Sequence, residues 1–445
     1  MRSGRAADDD IISVEALNIL SDGETDLASW MPKRMLGSPL SPFPLEHASD
    51  RQLQKLGQIL WGWQLCGSCE AGYNCKTTDC PWQRSKRLAR FFEYYRDATS
   101  SYVPELLPGS HPALRAHEDM LEIIQMLKVK PDIPRSQLTH SYFASRGGGQ
   151  VPLPPLPDQE RAFNLAVRIM AMVNCSVQPE SSGLLESGSQ PIPWCSNVSL
   201  TQFMANAFPT TDHPSLNDTD PSGKFPDIKA ALTAKKLKKC AGLRFQPTND
   251  LRNHLKLDRK QGVVEIYHYT AFLKEYLTVT QSAPKGMPMT DSTRLGIIPR
   301  QLVLETLDSL QKILFPPDPE SQSLLRSLVS KASFDPDCLR FESAPNRYDD
   351  EKKIAYYYFG SRLADLYDEI ENPRPRGLVE KWLERRSGSR YIMMATLVGV
   401  VTAVMLGLAG LAVGIFQAWV GYQQWQHPLS YDGVWRPDAT NPHHR

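Results

Sequence analysis

The chain has 445 residues, with 50 Lys and Arg against 49 Asp and Glu, so its net charge is +1 at pH 7. No global field therefore selects nucleic acid or a membrane surface, and any such partner must be met by a local patch. Thirty-five prolines gather between elements, as in a helical body with many loops.

Residues 1–45 lack periodicity and are expected to be a disordered N-terminus. Met1 to Asp10 carries two arginines and three aspartates with no apolar segment, so it does not read as a secretory signal. Ser38 to Pro44 reads as a loop or docking strip. Residues 46–145 form a helical region. Apolar spacing predicts helices at Gln52–Leu65 (Leu53, Leu56, Ile59, Leu60), Arg84–Tyr95 (Leu88, Phe91, Phe92, Tyr95) and Leu114–Lys128 (Leu121, Ile124, Leu127). Residues 146–160 form a Gly/Pro linker. Within it Arg146 to Pro157 (RGGGQVPLPPLP) reads as a hinge whose PxxP spacing also suits a polyproline II ligand.

Residues 161–346 are a second helical region. Glu160–Val173 is apolar nearly all round, which predicts a buried helix, and Ser199 with Gln202 forms a capping-box pattern ahead of a short one. Residues 347–390 are expected to be juxtamembrane helices, Asp350–Asn372 and then Gly377–Arg386, the latter lying in the headgroup plane. Further helices are predicted at Pro299–Leu314 and Ser321–Lys331.

Four of the eight cysteines lie close together as Cys66-x2-Cys69-x5-Cys75-x4-Cys80, bracketed by Trp61, Trp63 and Trp82. Thiolates so spaced can close a tetrahedral zinc site, although the spacing is not that of a zinc knuckle and the histidine is missing. The alternative is an Ω-like loop of reduced, partly buried thiols. A second cluster is basic. Between Lys224 and Lys260 stand eleven Lys or Arg against three Asp, a local charge of +8. The candidate patch is Lys235, Lys236, Lys238, Lys239, Arg252, Arg259 and Lys260. Ile228–Cys240 and Thr248–Leu255 read as helices. Leu255-Lys256-Leu257, a turn at Gln261-Gly262 and Val263–His268 read as a β-hairpin, together a winged-helix-like outline. Anionic lipid or an acidic protein is the expected partner, and nucleic acid is not, because the chain carries an anchor. A plain solvated lysine face is the alternative.

That anchor is Tyr391 to Phe416, apolar throughout and free of charge. At about 1.5 Å per residue it exceeds the ~30 Å hydrocarbon core of a bilayer, so it is expected to be a transmembrane helix. Lys381, Arg385, Arg386 and Arg390 precede it, whereas no cation follows until Arg436. The positive-inside rule then puts the N-terminal bulk in the cytosol and leaves residues 417–445 as a short tail on the far side. Trp382 and Tyr391 mark one interface, and Phe416, Trp419, Tyr422 and Trp425 the other. Ala395, Gly399, Ala403, Gly407, Gly410 and Gly414 share one helix face, a small-residue groove suited to homo-oligomer packing.

Three blocks carry a resemblance: residues 243–277, Pro299–Phe341, and Lys353–Pro428 with its YYYFGSRLADLYDEI, WLERRSG and FQAWVGYQQWQHP runs. They resemble a group of uncharacterised, C-terminally membrane-anchored proteins of filamentous fungi. The resemblance implies a fungal source and the same anchored layout, and it supplies no activity or site residue. No HExxH, P-loop, GxSxG or dinucleotide motif occurs, and His254 and His268 are expected to be core or surface histidines. The expectation is a mainly α protein: a helical cytosolic domain with one small hairpin and a single C-terminal span. It would serve as an interaction or scaffold protein, the alternative being a membrane-bound enzyme of unknown reaction.

Overall fold

The structure, a computed structural model, describes residues 43–75, 77–105, 110–146, 152–177, 191–212, 228–281, 295–341, 347–348, 351, 354–373 and 390–426. The expected Gly377–Arg386 helix and nearly all of the expected disordered N-terminus lie outside them. The protein is mainly α-helical, with small sheets and one long apolar C-terminal helix. It divides into two units: residues 1–207 with 271–300, and residues 208–270 with 301–445. Arg146 and residues 152–160, read from the sequence as linker, belong to the first unit.

In the first unit the helix Leu156–Ala171 is central and buried along most of its length, as its composition predicts. It packs on Ala89–Ser100, His117–Val129 and Arg135–Arg146. Asp158 on its first turn is fully buried, accepting from Tyr102 Oη at 2.8 Å and the Ala113 N–H at 2.7 Å. The polyproline reading of 152–157 is cut short, because the chain turns helical at Leu156 and Gln159 Nε2 donates to the Pro154 carbonyl. The helix Asp50–Trp61 packs on His117–Val129 and opens with a capping box in which Ser49 and Gln52 bond reciprocally. It stops at Gly62, whose left-handed φ of 64° costs a residue without a Cβ the least. The Arg84–Tyr95 prediction is displaced: Pro81–Lys86 is a 3-10 turn, and the helix runs Ala89–Ser100. Helix Arg135–Arg146 was not anticipated. Its Arg135 is 2% exposed and donates to the carbonyls of Trp194 and Glu160 while lying over the Trp194 ring. The capping box at Ser199 and Gln202 is present, opening Leu200–Ala207.

The second unit holds a three-stranded sheet. Val263–Tyr267 is central, parallel to Arg244–Thr248 and antiparallel to Lys256–Asp258. The hairpin is therefore as expected, turned at Gly262 with φ 67°. The winged-helix outline is not. Residues 248–255 do not form a helix but a 3-10 turn, Leu251–Asn253, capped by Asp250, and Arg244–Thr248 is an additional strand. Ile228–Cys240 is likewise two short helices, because the Thr233 side chain caps a fresh start at Ala234 by accepting from the Lys236 N–H. Helix Arg300–Asp308 continues as a π-helical turn to Leu314, and Pro319–Lys331 follows.

The predicted helix 350–372 is confined to Gly360–Glu371. The residues before it are held otherwise. Glu305 accepts the N–H of Tyr357, Tyr358 and Phe359 at 2.8, 2.9 and 3.0 Å. That carboxylate caps a helix whose own N-cap residue, Phe359, offers no side-chain acceptor.

The C-terminal helix runs Arg390–Gln426, so helix continues past Phe416 into residues 417–426. The aromatic residues Trp419, Tyr422 and Trp425 continue it. Thr402 Oγ1 donates to the Val398 carbonyl at 2.8 Å, the internal bond a hydroxyl needs in an apolar medium.

Candidate metal centre

The four clustered cysteines converge. Their Sγ atoms all lie within 4.8 Å of one another, and no disulfide joins any of the eight cysteines. Local structure explains how. Cys66 is extended and heads a single helical turn, Gly67–Glu70, which carries Cys69 on its inner side. Gly72, at φ 81°, reverses the chain toward Cys75. Cys80 then heads the 3-10 turn Pro81–Lys86. Cys69 and Cys80 are buried, and Cys66 and Cys75 are partly so.

The donor set fits zinc. Tetrahedral zinc at about 2.3 Å from each sulfur needs S···S edges of about 3.8 Å. Cys66 to Cys75 and Cys69 to Cys80 are each 3.9 Å apart. Both separations are far beyond the ~2.05 Å of a disulfide. The thiols are also electrostatically unequal. The Thr77 hydroxyl and the Cys69 backbone N–H bring the Cys66 thiol down to about 6, while burial and the surrounding thiols push Cys69 well up. Four sulfurs at this separation cannot all ionise without a cation among them, and a divalent metal would let them. Cys66, Cys69, Cys75 and Cys80 would hold the ion, with no position left for a substrate, which is the character of a structural site.

The loop is tied to its unit by an ion pair that the sequence does not announce. Arg84 Nε and Nη2 donate to Glu275 Oε1 and Oε2 at 2.6 and 2.8 Å, and Trp63 Nε1 donates to the same carboxylate at 3.0 Å. Trp63 lies 5.1 Å from Trp61 and 6.3 Å from Trp82, so the three tryptophans that bracket the cysteines form one aromatic cluster with Phe91, Phe92 and Phe272. Gly57 makes room for it: a Cβ there would meet Trp63 Cε3 at 2.4 Å.

The basic patch is thinner than its sequence. Arg252 leaves it altogether, being 10% exposed and paired with Asp250, which it also meets through its backbone N–H. Arg259 pairs with Asp365 at 2.9 Å, and Lys235 pairs with Glu320. Lys236, Lys238, Lys239 and Lys260 are exposed. On the C-terminal helix, a Cβ added at Gly399, Gly407, Gly410 or Gly414 would meet nothing within 4 Å, so that groove is open.

His254 and His268 are both buried and hold separate partners. Asp335 donates its N–H to His268 Nδ1 at 2.9 Å. His254 Nε2 lies 2.8 Å from Ser309 Oγ, a distance suggestive of a catalytic dyad. However, Nδ1 accepts the Tyr267 N–H, so the ring proton sits on Nε2 and His254 donates to the serine. Ser309 Oγ in turn donates to the Thr306 carbonyl, and both residues are fully buried. This histidine cannot take a proton from that serine, and the pair is a core hydrogen bond.

No protein-family model, no curated protein and no solved structure matches this chain.

Proposed function

We propose that this chain is a single-pass membrane protein whose bulk faces the cytosol and acts as an interaction or scaffold module, with a structural zinc ion in its cysteine loop. The observation that carries the reading is the helix Arg390–Gln426. It has no ionisable carboxylate or cation after Arg390, and its apolar window has no buried part. Each exposed Leu, Ile, Val or Met there is worth about 1.5–3 kcal/mol if removed from water, and a bilayer removes them together. The cation asymmetry between Lys381 to Arg390 and Arg436 supports a cytosolic bulk, and eight free thiols suit a reducing compartment. The three sequence blocks that resemble fungal membrane-anchored proteins support the same layout.

The enzyme alternative draws no support from the His254–Ser309 pair, whose tautomer opposes catalysis. Topology tests the proposal: tag both ends, isolate membranes, add protease, and assay glycosidase-sensitive mobility. Loss of the N-terminal bulk without a glycan shift is expected. Protection together with a glycan shift at one of the three sequons of the chain, Asn174-Cys175-Ser176, Asn197-Val198-Ser199 or Asn217-Asp218-Thr219, would place the bulk on the luminal side and refute it.

A further inference from the structure

The helix Ala234–Cys240 is built against its own electrostatics. Four of its seven residues are lysines, all exposed, held to the unit by buried Ala234 and Leu237. Lys235 and Lys236 stand in its first turn, where the helix dipole disfavours cations. Lys235 with Lys238 or Lys239, and Lys236 with Lys239, repel at i,i+3 and i,i+4 spacing. A surface that concentrates like charge in this way is relieved by an anionic partner.

The fold gathers further cations at the same end of the sheet. The helix is tied to the first strand by the Leu243 N–H, which donates to the Leu237 carbonyl. Arg244 then opens that strand, its backbone N–H donating to Gly262 and its guanidinium to the Gln261 carbonyl. Arg244 thus sits on the turn that carries Arg259 and Lys260. Nearby acids are already engaged. Glu320 meets Lys235, Asp365 meets Arg259, and Asp258 accepts the N–H of Lys260 and Gln261 within the turn. Lys236, Lys238, Lys239, Arg244 and Lys260 are left exposed without a carboxylate partner among the described residues.

We infer that this face, Lys236, Lys238, Lys239, Arg244 and Lys260, is a docking surface for the anionic headgroup layer of the membrane that holds the C-terminal helix. The inference rests on the anchored reading proposed above. Chain connectivity favours a bilayer over a diffusing polyanion. Residues 374–389 join this unit's last described turn to the apolar helix and reach at most on the order of 60 Å. A headgroup layer is therefore always within range of the face. The face also lacks what single-stranded nucleic acid needs, since its aromatic neighbour Phe245 is buried and cannot stack on bases. Juxtamembrane lysines and arginines are drawn to anionic lipid in this way, and the attraction fades with salt.

The full chain, reconstituted into nanodiscs of pure phosphatidylcholine or of phosphatidylcholine with phosphatidylserine, gives the test through amine-labelling rates read by mass spectrometry. In the anionic discs, labelling of Lys236, Lys238, Lys239 and Lys260 should slow by about fivefold. High salt should restore it, and exposed Lys55 and Lys86 should not change. In K236E/K238E/K239E, Lys260 should lose its protection. Equal rates in the two discs, or protection of Lys260 that survives the charge reversal, would overturn the inference. So would protection by added RNA oligonucleotide in neutral discs with none from phosphatidylserine, which would make nucleic acid the ligand. A chain that enters neither disc would refute the anchor itself, and that result is distinct from entry without protection.

Discussion

Glu305 Oε2 accepts the backbone N–H of Tyr358 at 2.9 Å, across 53 residues of sequence, and the neighbouring N–H of Phe359 at 3.0 Å. The carboxylate is fully buried, and no Lys or Arg forms an ion pair with it among the described residues. Burial raises its proton affinity, while the N–H groups of Tyr357, Tyr358 and Phe359 and the Gln301 amide oppose that rise. Glu305→Ala leaves three donors without their acceptor and should destabilise the chain by about 3 kcal/mol or more. Glu305→Gln keeps one oxygen and should cost less. Thermal unfolding of the detergent-solubilised chain measures both.

Gly57→Ala inverts the usual rule. Alanine in place of a mid-helix glycine normally gains close to 1 kcal/mol. Here the added methyl would stand 2.4 Å from the Trp63 ring, so a loss of about 1–3 kcal/mol is expected. Trp63→Leu should absorb much of that loss in the double variant, which a thermodynamic cycle would show as coupling.

Metal analysis of the purified full chain should find one zinc per molecule. Cys69→Ser should abolish it, because the most buried thiol of the four is lost. A strong chelator should lower the unfolding temperature of the native chain and leave Cys69→Ser unchanged. Absence of stoichiometric zinc in protein prepared with the metal present would reduce the loop to ordinary thiols.

Stability should fall in acid through His254. Burial, and then the neighbouring Arg362 charge, depress its affinity for protons to about 3, against an ordinary 6.5. The unfolded chain therefore takes up a proton below pH 6.5 that the folded one refuses until about pH 3. The stabilisation is complete above 6.5 and drains away as pH falls through that window, with a ceiling of about 5 kcal/mol. His254→Gln should be less stable at neutral pH and show a flatter profile between pH 6.5 and 3.

Gly407→Ile combined with Gly414→Ile should abolish self-association of the C-terminal helix in a membrane reporter. Both positions face open space within the single chain, so the added side chains disturb nothing internal. Any change is then a change in pairing, and an unaltered signal would rule out the small-residue face.

What the sequence revealed depended on the range of the interaction. Local signals were legible: the Ser199 box, the Gly262 turn, and the apolar helix that begins near Tyr391. The cysteine cluster was legible as four cysteines at three short spacings, and its convergence needed only the short turn at Gly67–Glu70 and the reversal at Gly72. Three features were hidden because they depend on which side chains pair once the chain has folded, two of them across long stretches of sequence. Glu305 reaches Tyr357–Phe359 and so stops an otherwise helical-looking stretch from starting until Gly360. Glu275 draws in Arg84 and Trp63 from the other end of the first unit. Asp250 removes Arg252 from the basic face, a loss that charge counting cannot register. The faint signal was a carboxylate inside an apolar helix, as at Glu305 in LVLETL, where only a buried partner can justify it.

The route of the chain has a consequence for synthesis. The backbone leaves the first unit after Ala207, returns at Ala271 and leaves again after Arg300. Glu275, on the returning segment, completes the clamp on the cysteine loop. A ribosome must therefore release roughly two-thirds of the polypeptide before the first unit can close, with Arg84 and Trp63 waiting for their acceptor. No single cut divides the two units into contiguous pieces. Truncations designed to isolate the cysteine loop must carry residues 271–300, or they will test a body without the helix Thr270–Thr280 that carries Glu275.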